Sequence, residues 1–293
     1  MLELSRTVRF ALTPEPAAQA PARSNTFSAW PPVRGLGRYY ELHVTCRGEA
    51  DPATGYFINI KHIDTAVRDH ALPVLRAAIA DERAAADTPM GGLMRDLLAV
   101  LQPELGHSVA RLGLQLSPFV ELAVRVPDPQ LHNASSGNPG NPGSPGDHPV
   151  DHVIVKQQYE FSAAHRLHVP DYTEEQNRAT FGKCNNPAGH GHNYRVEVAV
   201  RAPIDPMGHT LDIAALDDAV DTHVIDRLDH KHLNHDVPAF AELNPSVEHI
   251  VRVVWDMLEA GLAQVLPSVT LDEVKVWETG KTACAYRGPA VNA

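Results

Sequence analysis

The sequence predicts an α+β protein of two tandem domains, each with the element order ββααββ and an antiparallel sheet that carries its helices on one face. Three observations lead to this fold class. A segment rich in proline and glycine divides the 293-residue chain near its middle, the two halves resemble each other, and the apolar residues recur with strand and helix periods. Each half has the length of an ordinary single domain.

The dividing segment reads PDPQLHNASSGNPGNPGSPGDHP and covers residues 127–149. It contains six prolines and four glycines and has almost no apolar side chain, so it cannot contribute to a packed core. We therefore expect a linker at 127–149 between domains at 1–126 and 150–293.

An internal repeat relates the two halves. Moving the second half back by 154 residues places Thr180-Phe181 on Thr26-Phe27. With one residue of slippage, the apolar positions from Leu211 to His223 then coincide with those from Ile58 to His70. This shared register predicts that both halves adopt the same fold.

Four strands are predicted in the second half. Val153 to Phe161 and Tyr194 to Val200 alternate apolar and polar residues, as half-buried strands do. Val269 to Trp277 and Thr282 to Tyr286 form the closing pair around a turn at 279–281. These strands should build the antiparallel sheet.

Two helices are predicted between the strand pairs. The first covers Asp212 to Arg227 and has its apolar residues on one side. The second begins at Asn244-Pro245, read as an N-cap and a first-turn proline, and continues to about Val265. Their apolar faces should cover one side of the sheet.

Charge and composition exclude several classes of function. With 25 basic and 36 acidic residues the formal net charge is −11, so no large cationic surface for nucleic acid is expected. The N-terminus lacks a signal-peptide pattern and no uncharged stretch has the ~20 residues of a membrane span, which predicts a cytoplasmic location. Three scattered cysteines indicate free thiols rather than a disulfide framework.

A metal site is predicted from three histidines. His190 and His192 are separated by one glycine, so on a strand both imidazoles project from the same face. His165 ends the preceding predicted strand and is the natural third ligand. Three imidazoles with one open position are typical of a catalytic zinc.

Further residues near these histidines suggest acid–base chemistry. Cys184 lies six residues before His190 in a loop, where a nearby cation would favour the thiolate, a possible general base. Asp229 and His230 follow the first helix, and the carboxylate can orient the imidazole for proton transfer. Glu278 ends an apolar strand and is suited to pair with the N–H groups of a heterocycle.

Several motifs together resemble the 6-pyruvoyl-tetrahydropterin synthase and 6-carboxytetrahydropterin synthase family. They are FSAAHRL, FGKCNNPAGHGHNY, IDPMGHTLD, LDHKHLN and VKVWET, and the resemblance spans about residues 152–288. It implies the tunnelling fold, in which ββααββ units associate through their sheets into barrels. It also implies a lyase that acts on 7,8-dihydroneopterin triphosphate.

The resemblance implies a role for each candidate residue. His165, His190 and His192 would bind zinc, and Cys184 would remove a proton from the substrate. Asp229 and His230 would assist proton transfer, Glu278 would anchor the pterin ring, and Ser246 falls where the family places further pterin contacts, although the local sequence departs from the usual threonine-rich pattern.

The first half lacks these residues. The repeat places Pro14 at the position of His165, Trp30 at that of Cys184, and Leu36 and Arg38 at those of the histidine pair. Arg76-Ala77 corresponds to Asp229-His230, and Val124 to Glu278. We therefore expect a degenerate copy without zinc ligands, which serves as a scaffold or binds pterin for regulation.

Two alternatives stay open at this point. A 6-carboxytetrahydropterin synthase would use the same substrate but would also release acetaldehyde, and a non-catalytic zinc- or pterin-binding module would need no Cys184, Asp229 or His230. Because the family's sites lie between subunits, we expect a homo-oligomer in which C-terminal domains associate with one another, in a trimer, while N-terminal domains form a separate ring.

Overall fold

A computed structural model describes residues 1–12, 27–33, 38–80, 87–127 and 150–289. The chain divides into two compact units, which are Met1–Val153 with Pro203–Thr210, and Ile154–Ala202 with Leu211–Ala293. Residues 128–149 of the expected linker lie outside the described residues. The turn at 203–210, which the sequence assigns to the second domain, groups with the first unit.

The first unit consists of a four-stranded antiparallel sheet and helices. Its strands follow the order β1-β2-β3-β4, namely Leu2–Leu12, Arg38–Gly48, Val109–Ser117 and Val120–Arg125. Its helices are α1 (Ile60–Ala66), α2 (Leu72–Ala78) and α3 (Met90–Glu104), with a π-helical turn at Val67–Ala71 between the first two.

The helices of this unit pack on the apolar face of its sheet. In β2, Leu42, Val44 and Cys46 are fully buried, and the residues between them point to the opposite face. The helices bury Ile63 and Met94, among others, in the same core. The alternation in the strand thus determines which side the helices cover.

The opposite face of this sheet carries a cluster of charged residues. Arg111 donates to Glu121 at 2.7 Å, and His43 Nδ1 lies 2.9 Å from the other oxygen of that carboxylate. His43 Nε2 lies 3.4 Å from Glu41. A β-carbon on Gly113 would lie 2.3 Å from Glu121 Oε1, so the glycine leaves the space that the buried carboxylate occupies.

The second unit also has four main strands, with additional short elements between them. Its main strands follow the order β5-β6-β8-β9, namely His152–His165, His190–Pro203, Thr270–Thr279 and Thr282–Tyr286, and the short β7 (Lys231–His232) pairs parallel to β5. Its helices are α4 (Glu174–Phe181), α5 (Ile213–Val220), α6 (Asp226–Leu228), α7 (Leu233–Asp236) and α8 (Val247–Val265). A π-helical turn at Asp221–Ile225 joins α5 to α6, and 3₁₀ turns cover Gly182–Asn185 and Pro238–Phe240.

The long helix α8 begins later than the sequence predicts. Its N-cap is Ser246, not Asn244, and Pro245 precedes the helix instead of occupying its first turn. Asn244 has another partner, because its side-chain oxygen accepts a hydrogen bond from the backbone of His168. The apolar stripe predicted for this helix is buried as expected, with Ile250 and Leu258 fully inaccessible.

The antiparallel sheets with helices agree with the predicted fold class. Each unit has four main strands with helices between the second and the third, and α4, β7 and α7 of the second unit were not predicted. That the first unit is a degenerate copy of the second stays a prediction. The alignment of Val124 with Glu278 in the internal repeat is wrong, because Val124 lies in the last strand of its unit and Glu278 in the penultimate one. None of the helices in the described ranges combines the length and apolar character that a membrane span requires.

Candidate active site

Two adjacent strands bring the three predicted histidines together. His165 is the last residue of β5, and His190 and His192 are the first and third residues of β6. One ring nitrogen from each residue lies within 4.8 Å of the other two. In the described ranges, this is the one group of His, Cys, Asp or Glu residues arranged so as to hold a metal ion.

Hydrogen bonding fixes the orientation of His165. Its Nδ1 lies 2.7 Å from the carbonyl oxygen of Pro245, and because a carbonyl only accepts, Nδ1 carries the proton. The lone pair of Nε2 therefore faces the cluster, 3.1 Å from His190 Nε2. His190 Nδ1 and His192 Nε2 are buried and have no hydrogen-bond partner among the described residues.

Burial favours the neutral form of two of these imidazoles, His165 and His190. Desolvation and the neighbouring imidazoles together lower the pKa of His165 to about 4, against the bond to Pro245. The pKa of His190 is lowered for the same two reasons. Neutral imidazole is the form that binds a metal ion, so the cluster suits a divalent cation better than it suits protons.

Glu278 lies at the edge of the histidine cluster. Its Oε1 is 3.5 Å from His165 Nε2 and 3.8 Å from His192 Nε2, and its side chain is 20% exposed. The position follows from the pairing of β6 with β8, which sets Arg195 opposite Trp277. The carboxylate is thus available to a cation or to a ligand that enters beside the histidines.

Aromatic packing forms a wall of the cluster that the sequence reasoning did not single out. Tyr194 is fully buried, stacks on Phe161 with ring centroids 4.9 Å apart, and meets the rings of His165 and His192 edge-on. The alternation of β6 could have indicated this, because Tyr194 lies two residues after His192 on the same face. This packing restricts the rotation of both imidazoles.

Cys184 belongs to the segment that connects β5 and β6, the two strands that carry the three histidines. It lies in the 3₁₀ turn at Gly182–Asn185, is a free, partly buried thiol, and its carbonyl accepts a hydrogen bond of 2.9 Å from Leu167 N. Leu167 is two residues after His165. The turn that carries the thiol is therefore hydrogen-bonded to the segment that follows His165.

Asp229 and His230 form a hydrogen-bonded pair. His230 Nδ1 lies 2.6 Å from Asp229 Oδ2, and Ser162 N donates to the other carboxylate oxygen at 2.7 Å. These bonds lower the pKa of Asp229. His230 has a left-handed backbone with φ of 55°, and its side chain is 83% exposed, so the imidazole projects from the chain into solvent.

Ser246 lies next to the carbonyl that holds His165. As the N-cap of α8 it directly follows Pro245, and its hydroxyl hydrogen-bonds Glu248, which lowers the pKa of that carboxyl. The site therefore consists of the three histidines, Glu278 and Ser246 close to the cluster, Cys184 on the adjoining loop, and an exposed Asp229–His230 pair.

The corresponding positions of the first unit carry no such groups. Trp30 and Arg38 replace the cysteine and one histidine, and Arg76 lies within α2 where the second unit has Asp229. Pro14 and Leu36, the counterparts of the other two histidines, lie outside the described residues.

Comparisons with known proteins agree on one family. The family model for 6-pyruvoyl tetrahydropterin synthase matches residues 154–289. The 6-pyruvoyl tetrahydrobiopterin synthase of Drosophila melanogaster is 46% identical over 130 residues, which are 44% of this chain and 76% of that protein. The Homo sapiens protein of the same name is 42% identical over 135 residues, 46% of this chain and 90% of the relative.

One solved structure is similar over a comparable share of this chain. The structure of Caenorhabditis elegans 6-pyruvoyl tetrahydropterin synthase has 35% sequence identity and a TM-score of 0.43, over 47% of this chain and 96% of that chain. The sequence identities confirm the resemblance found in the motifs.

Proposed function

This chain belongs to the 6-pyruvoyl tetrahydropterin synthase family, a family of lyases, and on that basis we propose that it converts 7,8-dihydroneopterin triphosphate to 6-pyruvoyl-tetrahydropterin and triphosphate with the help of zinc. The observation that carries this proposal is the cluster of His165, His190 and His192 beside Glu278. The identity to relatives named for this product supports the choice of reaction.

The three histidines fit a zinc ion. Two of their buried ring nitrogens have no partner in the described part of the chain, and the third ring is held by Pro245 with its free nitrogen facing the cluster. Orphaned buried nitrogens of this kind are costly unless a ligand pairs with them. When bound, zinc would supply Lewis acidity toward the hydroxyl groups of the substrate side chain.

Cys184 would act as the general base. Its thiolate would take the proton from the side-chain carbon next to the pterin ring, and the electron pair would move into the ring, which becomes reduced as the carbinol becomes a carbonyl. Removal of a second proton, from the second side-chain carbon, would expel triphosphate from the third. The enol that remains would tautomerise to the pyruvoyl ketone. No external oxidant or reductant is needed, because the hydrogen is rearranged within the substrate.

Glu278 and Ser246 would position the pterin. The carboxylate is only partly exposed and can accept hydrogen bonds from the ring N–H groups, which suits a planar heterocycle next to the histidines. Ser246 lies beside Pro245 and therefore near the same cluster. Together they would direct the substrate side chain toward Cys184.

Asp229 and His230 would relay protons to a site in a neighbouring subunit. The exposure of the His230 ring supports this arrangement, because in the single chain the imidazole faces solvent. A homo-oligomer with C-terminal domains side by side would bring each pair to the next histidine cluster. The first unit, with no ligand set among its described residues, would serve as a scaffold for this assembly.

Product analysis tests the function directly. The zinc-loaded protein is incubated with 7,8-dihydroneopterin triphosphate, and the products are identified by mass. We expect triphosphate and 6-pyruvoyl-tetrahydropterin in equal amounts. Release of acetaldehyde would assign the 6-carboxytetrahydropterin reaction instead, and binding of the substrate without turnover would leave only a pterin-binding module.

A further inference from the structure

The segment that follows His165 is held by asparagine side chains. Residues 166–169 follow the end of β5, and each of them bonds through its backbone to an asparagine from a different part of the second unit. The four asparagines are Asn234 on Arg166, Asn185 on Leu167, Asn244 on His168 and Asn177 on Val169.

Asn185 differs from the other three because it is adjacent to Cys184. Its Nδ2 lies 2.8 Å from the Leu167 carbonyl, to which it donates, and 3.1 Å from His168 Nδ1. Leu167 N in turn donates to the Cys184 carbonyl. Two hydrogen bonds in opposite directions thus fix the Cys184-Asn185 dipeptide to Leu167, and Asn185 is only 7% exposed.

A second set of contacts connects His168 to His165 through Asn244 and Pro245. His168 N donates to the side chain of Asn244, and the carbonyl of the next residue, Pro245, accepts from His165. Asn185 therefore lies in a closed ring of contacts that includes the thiol-bearing turn and the first histidine. A side chain in this place determines how far Cys184 stands from the cluster.

We propose that Asn185 is a positioning residue that holds Cys184 at its working distance from the His165–His190–His192 cluster. The inference rests on the proposed function, in which Cys184 is the base. Asn185 also accepts from Arg166 Nε through its backbone oxygen at 3.2 Å, so its side chain and its backbone both tie the Cys184 turn to the segment after His165. A misplacement of about 1 Å can lower a rate by about 10²-fold, so the effect of losing this amide should be large.

The test compares Asn185→Ala and Asn185→Asp with the unaltered zinc-loaded protein. The aspartate keeps the shape but cannot donate to Leu167. We expect kcat to fall by about 10- to 100-fold in both variants, with KM and bound zinc unchanged. Alkylation of Cys184 by iodoacetamide, followed by peptide mass, should become several-fold faster as the turn loosens, and this readout does not depend on turnover.

Asn177→Ala is the matched control. Asn177 is fully buried and donates two hydrogen bonds in the same loop, to Val169 and Tyr172, but none of its side-chain bonds reaches residues 184–185. We expect it to lower the melting temperature at least as much as Asn185→Ala while kcat and the Cys184 labelling rate stay within about threefold. Equal losses of kcat in both variants would assign the asparagines to loop stability alone and overturn the inference.

Cys184→Ala separates this inference from the proposed function. If that variant loses activity but Asn185→Ala does not, the positioning role is wrong and the function stands. If Cys184→Ala is fully active, the assignment of the base is wrong. An unchanged Cys184 labelling rate in Asn185→Ala would overturn the positioning role in either case.

Discussion

His165 shows how a hydrogen bond to one ring nitrogen sets the direction of the other. The bond from Nδ1 to the Pro245 carbonyl selects the tautomer whose Nε2 lone pair faces His190. The sequence predicted that the three histidines lie together, because an H-x-H pair on a strand and a histidine that ends the neighbouring strand face the same region. It did not predict the carbonyl, because Pro245 is 80 residues away and contributes no characteristic side chain.

The first prediction concerns the number of metal ions. Purified protein should contain about one zinc per chain, since three imidazoles with an open position form one catalytic site and the described part of the first unit has none. His192→Ala should lose both zinc and activity. Elemental analysis measures the metal, with His152→Ala, an exposed histidine outside the cluster, as the control. Two zinc ions per chain would contradict the interpretation of the first unit as a degenerate copy.

At the scale of elements, hydrogen bonds between residues far apart in the sequence explain which features the sequence did not predict. Asn244 looked like an N-cap because it precedes a proline and an apolar helix, yet its side chain is used by His168 instead. The charged cluster on the first sheet was not predicted either. Glu121, His43 and Arg111 come from three strands, and only their register brings them together.

The second prediction concerns the pH dependence of this charged cluster. The bonds to His43 and Arg111 lower the pKa of Glu121 to about 2, against desolvation, and the bond to Glu121 raises the pKa of His43. The carboxylate therefore stabilises the fold above its unfolded pKa of about 4.5, and this contribution is lost as pH falls toward about 2. The imidazolium stabilises the fold below pH 6.5, and its contribution is lost as pH rises through the raised pKa.

Calorimetry of the whole protein measures this dependence. Glu121→Gln should lower the stability of the first unit by about 1–3 kcal/mol near pH 6 and flatten its pH profile on both sides. Glu3→Gln, which removes an exposed partner of Arg47, should change neither property measurably. A profile that keeps its shape without Glu121 would show that other groups control it.

At the scale of the whole molecule, both units place a π-helical turn at matching points of the first helical segment. The turns cover Val67–Ala71 and Asp221–Ile225, about 154 residues apart as in the sequence repeat. Periodicity predicted a single helix over residues 212–227, because the buried residues Leu216, Val220 and Val224 keep a four-residue spacing across the turn. The order of the main strands and of the two main helical segments was therefore predictable, whereas the interruption and the short elements α4, β7 and α7 were not.

The third prediction concerns assembly. Chains with Cys184→Ala keep an intact Asp229–His230 pair, and chains with Asp229→Ala/His230→Ala keep an intact cysteine and histidine cluster. If the exposed His230 serves a neighbouring subunit, mixing the two inactive variants should restore part of the activity. Turnover is measured after subunit exchange, which mass spectrometry of isotopically labelled chains confirms.

Two outcomes would contradict this arrangement. Full exchange without any recovery of turnover would place the Asp229–His230 pair and Cys184 in the same subunit's site. A segment 150–293 that is active as a monomer would do the same. The segment should instead remain oligomeric and active, because the proposed contacts lie between C-terminal domains.

Ser162 connects the Asp229–His230 pair to the strand that ends at His165. Its N–H donates to Asp229, its carbonyl accepts from His230 N, and it lies three residues before His165 on the same strand. We therefore expect the spacing between the Asp229–His230 pair and His165 to vary little, because both are attached to β5. Within one chain, a single strand therefore holds both groups, which would otherwise depend on separate loops.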